Sequence, residues 1–273
     1  MLRKRLTVGI VGGIIAILLL LCPNTLIISA VVGIISVIGL SEIYNTTHIL
    51  KKNNKLCLYT YVYCFVSFII LGLVPDAGSV LALLTFIYGA GLLIYMVFNH
   101  DKYEFNSVCE LFFQSCYVSV LFAHIILVRK LPFGEYLVWI IFITAWLSDT
   151  MAFFVGKYFG KNKLMPEISP KKTVEGAIGG LFGSFLFNLI FALICSAAFK
   201  LTVNYLAVIC LSVVAGVLSQ LGDLVASSIK REHNIKDYSN LLPGHGGVLD
   251  RFDSVLFVAP TVYYFVVIFT IFA

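Results

Sequence analysis

The chain has 273 residues, 60% of them apolar and only 12% charged, with a formal net charge of +5. A soluble domain carries about 25% charged residues, so a water-facing surface around this chain is excluded. Seven prolines and 21 glycines exclude a collagen-like or low-complexity chain as well. At about 20 residues per span, the length suits roughly eight to ten membrane-crossing helices.

Nine apolar segments follow in chain order, at about 6–22, 25–42, 56–74, 78–98, 108–128, 136–156, 174–198, 202–220 and 254–272. Each has the length and low charge that a bilayer helix needs. Pro23-Asn24 breaks the first pair into a tight helical hairpin. The first segment follows Arg3-Lys4-Arg5 but has no small-residue cleavage site, so it reads as a retained span. With the N-terminus in the cytoplasm, 16 Lys and Arg fall on inside segments and three outside. That bias favours an N-in, C-out orientation. The expected fold class is all-α: a polytopic helical membrane bundle of about nine transmembrane helices. Residues 1–130 are expected as a lipid-facing scaffold, and 131–273 as a catalytic half with long cytoplasmic loops at 157–173 and 221–253. The seven cysteines lie mostly in apolar stretches, without CxxC or zinc-finger spacing, and read as soft core residues.

Polar residues crowd into two clusters. The first holds Ser148-Asp149-Thr150, five lysines between 157 and 172, and the run Ser169-Pro170-Lys171-Lys172-Thr173-Val174-Glu175-Gly176. A carboxylate such as Asp149 near the end of an apolar span is costly and faces a partner or a wet cavity. The lysines suit a positive anchor on anionic lipid heads. Ser169 or Thr173 can cap the following helix, whose first N–H groups beside Lys171 and Lys172 suit a phosphate. Gly179-xxx-Gly183 is a candidate helix-packing face.

The second cluster runs from Ser219 to Ser254. If the eighth helix continues past the membrane, Asp223, Ser227 and Lys230 fall at i, i+4 and i+7 on one face. Asp250 and Asp253, at i and i+3, share a face of the ninth. Three carboxylates gathered at one point repel unless a cation bridges them, and oxygen donors favour Mg²⁺. The same acids also suit ordinary capping and ion pairing. Leu242-Pro243-Gly244-His245-Gly246-Gly247 is a loop whose bare backbone can approach a ligand closely. Lys230, Arg231, Lys236 and Arg251 place four cations beside the acids, which suits a metal-bridged polyphosphate.

At these residues the chain resembles the phosphatidate cytidylyltransferase (CDP-diacylglycerol synthase) family. The resemblance rests on Ser228-Ile229-Lys230-Arg231, Lys236-Asp237, Leu242-Pro243-Gly244-His245-Gly246-Gly247, Asp250-Arg251 and Asp253, with Ser148-Asp149-Thr150 and the Ser-Pro-Lys-Lys-Thr-x-Glu-Gly run upstream. Phe153-Phe154 departs from the commoner Ala-Tyr pair. The resemblance implies transfer of a cytidylyl group from CTP to phosphatidate with release of pyrophosphate. It implies Asp223, Asp250 and Asp253 as holders of Mg²⁺, with a second cation allowed, and Lys230 and Arg251 as catalytic cations. Ser148, Asp149, Lys171, Lys172, Thr173, Ser227, Arg231, Lys236, Asp237, Gly244, His245, Gly246 and Gly247 are the implied substrate contacts. The expected partners are CTP, phosphatidate and bilayer lipid, not nucleic acid, with a homodimer left open. The expected location is a bacterial inner membrane, with the site facing the cytoplasm. A transporter of a phosphorylated or lipid substrate is the competing class. It calls for acids or broken helices at mid-membrane, whereas these polar groups crowd one face.

Overall fold

A hydrocarbon environment leaves backbone N–H and C=O groups nothing but each other to bond, so apolar runs of this length become helices. A computed structural model of the chain describes residues 2–273, with the side chains of 2–8, 10 and 52 outside that description. In chain order the elements are α1 (Leu2–Leu21), α2 (Thr25–Thr46), α3 (Ile49–Lys52), α4 (Asn54–Leu73) and α5 (Ala77–Phe98). Then come α6 (Phe105–Ser115) and α7 (Leu121–Lys130), joined by a π-helical turn, and α8 (Gly134–Phe142) and α9 (Ser148–Phe159), joined by another at Ile143–Leu147. The chain closes with β1 (Lys163–Met165), β2 (Ser169–Thr173), α10 (Val174–Phe199), α11 (Tyr205–Glu232) and α12 (Leu249–Ile268).

Among the described residues, eight helical stretches are long and apolar enough to cross a membrane. The protein is an all-α polytopic membrane protein. The expected first segment, 6–22, lies partly outside the described side chains, and its described part, Val11–Leu21, is shorter than a span. The expected eighth segment, 202–220, is longer than foreseen: α11 runs on to Glu232. Its last turns carry Asp223, Ser227 and Lys230 in helical geometry, as the spacing requires. The loop 157–173 is not irregular throughout. It folds into a two-stranded antiparallel hairpin in which Lys163 pairs with Thr173 and Met165 with Ser169.

Two units divide the chain: 1–130 with 233–251, and 131–232 with 252–273. The segment 233–251, which chain order assigns to the C-terminal half, thus folds with the N-terminal residues. In the first unit, buried hydroxyls satisfy one another, as groups cut off from water must. Tyr44 and Tyr88 each meet Ser115 Oγ at 2.6 Å, and Tyr88 meets Thr60 Oγ1 at 2.8 Å.

In the second unit, α9 and α10 approach through glycine. A Cβ on Gly179 would lie 2.5 Å from Val155, one on Gly183 2.5 Å from Met151, and one on Gly176 2.8 Å from the Ala152 carbonyl oxygen. The expected packing face is therefore real, and it extends one turn beyond the pair that suggested it. The Thr173 hydroxyl accepts from Gly176 N at 3.1 Å and caps α10. Glu175, in the first turn of α10, accepts from the backbone N–H of Lys161 and Asn162 and from the Asn162 side chain. The hairpin is thus tied to the helix that follows it.

Candidate active site

Within the second unit, four elements bring charged groups together. Asp149 is the second residue of α9, which directly follows the π-helical turn Ile143–Leu147. Such a turn changes which way the following side chains face, and such turns recur at functional sites. Lys172 comes from β2, Asp223, Ser227 and Lys230 from the end of α11, and Asp253 and Ser254 from the first turns of α12. Lys172 Nζ lies 2.5 Å from Asp223 Oδ2. Ser227 donates to Asp223 Oδ1 at 3.3 Å, one helical turn along. Asp253 and Lys230 are both 7% exposed, and Asp253 lies in the electrostatic field of Asp223, Lys230 and Asp149. Ser254 donates its hydroxyl to Asp149 Oδ2 at 3.3 Å, while its N–H donates to Asp253 Oδ1 at 2.8 Å.

Counted as ionised, Asp149, Asp223 and Asp253 bring three negative charges and Lys172 and Lys230 two positive, which leaves one negative. Buried like charges are costly, and this donor set is all oxygen, the preference of a hard divalent cation. The residues therefore fit Mg²⁺ by chemistry. Among the described residues, no three His, Cys, Asp or Glu side chains stand close enough together to hold an ion by themselves. Two protein carboxylates with phosphate oxygens as further ligands is the usual habit of Mg²⁺.

The loop 236–251, in the first unit, is organised by two other carboxylates. Asp250 is 8% exposed, and its Oδ2 accepts from Tyr238 N at 2.8 Å and Gly247 N at 2.9 Å. This is the bonding of a cap. That oxygen of Asp250, expected as a metal carboxylate, is held by two backbone donors. Gly246 has φ +85°, and a Cβ there would lie 2.9 Å from the same oxygen, so only glycine fits. The turn closes with Leu242 N bonded to Gly246 O and His245 N to Leu242 O. Around it is a cavity of about 250 Å³ lined by Lys236, Asp237, Asn240, Gly244, His245, Gly246 and Arg251. His245 Nδ1 is buried and has no hydrogen-bond partner among the described residues.

The other expected contacts divide as follows. Lys171 is exposed, Thr173 is buried and spent on its cap, and Arg231 donates to the Ile168 carbonyl at 3.2 Å. Ser148 is fully buried, its oxygen 3.0 Å from where a Cβ on Gly180 would sit. It packs against Gly180 of α10. Two residues were not foreseen. Ser254 follows Asp253 directly in the motif and could have been read from it. Glu42, the lone acid of an apolar span, carries the signal of a costly buried charge.

The family described as "Cytidylyltransferase family" matches residues 3–269. The phosphatidate cytidylyltransferase of Bacillus subtilis (strain 168) is 39% identical over 180 residues, which is 66% of this chain and 65%, just under two thirds, of that protein. The one from Staphylococcus haemolyticus (strain JCSC1435) is 33% identical over 251 residues, 89% of this chain and 90% of the other. That of Staphylococcus aureus (strain COL) is 34% identical over 261 residues, 94% and 96% of the two chains. Similarity of this extent runs through both units, including the N-terminal helices that carry no motif. The chain belongs to the cytidylyltransferase family.

Proposed function

We propose that the protein transfers a cytidylyl group from CTP to phosphatidate, forming CDP-diacylglycerol and pyrophosphate. The observation that carries this is that relatives similar over about nine tenths of the chain are phosphatidate cytidylyltransferases. The chemistry of the two residue groups supports it. An anionic oxygen of the lipid phosphate attacks the α-phosphorus of CTP. One P–O bond forms, the bond to the β-phosphate bridging oxygen breaks, and pyrophosphate leaves. The nucleophile is already ionised, so no strong base is needed. What the protein supplies is position and charge.

Lys172 and Lys230 offset negative charge beside Asp149, Asp223 and Asp253. Lys236, Arg251 and His245 line a cavity suited to phosphate oxygens. Asp223 and Asp253 would hold Mg²⁺, which when bound neutralises phosphate charge and stabilises the leaving group. Membranes carrying the protein should incorporate label from CTP into a chloroform-soluble product when given phosphatidate, and should not when given diacylglycerol. Labelled lipid formed equally well without phosphatidate would exclude this acceptor.

The two lysines of the Lys171-Lys172 pair should behave differently, because one is ion-paired and the other exposed. Lys172→Ala is expected to lower cytidylyl transfer at least tenfold by leaving Asp223 without its Nζ contact. Lys171→Ala should stay within about twofold, since an exposed charge contributes little. Equal losses in both variants would mean that the loop acts only through its total charge.

The bias of 16 inside against three outside Lys and Arg supports charged loops on the cytoplasmic side, where CTP is found. A reporter active only outside the cytoplasm should be silent when fused within 157–173. A signal there would reverse the orientation and remove the loops from their nucleotide.

A further inference from the structure

Glu42 sits in the last turns of α2, inside an apolar span, and is 4% exposed. A carboxylate so placed costs free energy unless its oxygens are bonded. It is bonded, and its partners among the described residues all lie between 239 and 249. Oε1 accepts from the Ser239 hydroxyl at 2.6 Å and from Val248 N at 2.9 Å, and Oε2 accepts from Leu249 N at 2.7 Å. A Cβ on Gly247 would lie 2.5 Å from Oε1, so glycine at this position is what lets the carboxylate reach the backbone.

Val248 and Leu249 stand at the start of α12, where N–H groups lack partners within the helix and the helix dipole favours a negative charge. The cap is therefore supplied by a helix roughly 200 residues earlier in the chain. Between the two points held by Glu42, Ser239 and Val248, lie Asn240, Gly244, His245 and Gly246, four residues lining the loop cavity. Asp250 holds the same turn through Tyr238 and Gly247. The loop is closed from both sides.

We infer that Glu42 is a positioning residue for the reaction: it holds the 239–249 loop in the shape that receives the nucleotide phosphates, without touching substrate itself. This rests on the cytidylyltransferase reading of the loop. A glycine-rich loop of this kind would otherwise sample many shapes, and a binding surface populated only part of the time loses affinity by that fraction. The deficit should fall on KM for CTP more than on kcat.

Glu42→Gln is the direct test, since it keeps shape but turns a donor toward donors. Steady-state kinetics in detergent should show KM for CTP raised about tenfold or more, with kcat within about threefold. Glu42→Asp, which restores a carboxylate, should recover part of the loss. Ser239→Ala should show the same direction more weakly. Tyr44→Phe is the comparison, because it removes a buried hydrogen bond from the same unit without touching the loop. It should lower thermal stability and leave KM unchanged. Hydrogen exchange read by mass spectrometry gives a second measure: in Glu42→Gln the amides of 238–249 should exchange faster, while those of α4 and α5 do not.

A folded Glu42→Gln with unchanged KM and unchanged loop exchange would overturn the inference, as would a loss shared in the same proportion by Tyr44→Phe. If wild-type protein fails to label lipid from CTP, the functional reading falls. The exchange measurement then still decides whether Glu42 holds the loop.

Discussion

Asp253→Asn and Asp223→Asn should each reduce CDP-diacylglycerol formation by roughly 10²–10³-fold, because stabilisation of phosphate charge at a cation is typically worth several kcal/mol. Asparagine keeps the shape of aspartate, so packing around the 7% exposed Asp253 is preserved. The group then holds two carboxylates against Lys172 and Lys230 instead of three. Like-charge repulsion is relieved, and both variants should insert and accumulate as the parent does. The dependence on Mg²⁺ should move to higher concentration in each. Glu232→Gln, at the exposed end of α11, is the matched control and should remain active. Asp250→Asn separates two roles. Its Oδ2 receives two backbone N–H groups, so its loss should act through the loop, raising KM for CTP and leaving the Mg²⁺ midpoint in place. A shifted midpoint in Asp250→Asn, with none in Asp223→Asn, would exchange the two assignments.

Gly179→Val is expected to be the most damaging substitution outside the charged groups. Its Cβ would overlap that of Val155, and neither backbone can yield without moving a helix. Overpacking of this kind costs typically about 1–3 kcal/mol, and more where main chains must separate. At roughly 2–4 °C per kcal/mol for a chain near this size, the melting midpoint should fall by about 5 °C or more. Activity should fall with it, since α9 also carries Asp149. Gly12→Ala supplies the contrast: a Cβ there meets nothing within 4 Å, and the variant should melt like the parent. Equal midpoints for the two glycine variants would show that the α9–α10 approach is looser than described.

Much of the site was legible because its information is local. The spacing of Asp223, Ser227 and Lys230 already places them on one helical face, and the observed α11 extends far enough to use it. Thr173 reads as a cap from its place before an apolar run, and caps α10. The small residues at 179 and 183 point to a close helix contact, and Val155 and Met151 are what they contact. The hairpin at 163–173 was not legible, because short strands bearing lysine and proline lack an alternating apolar face.

The sequence by itself determined the membrane class and the helical fold, because hydropathy and local spacing act over a few turns. Tertiary structure decided the pairings. Ser254 reaches Asp149 across 105 positions, and the Glu42 carboxylate meets Leu249 N across 207. Periodicity tells which face a residue occupies but not what stands opposite it. That is why the two backbone donors that meet Asp250 could not be read from its motif. It is also why an acid in a helix with no motif proved to hold the glycine loop.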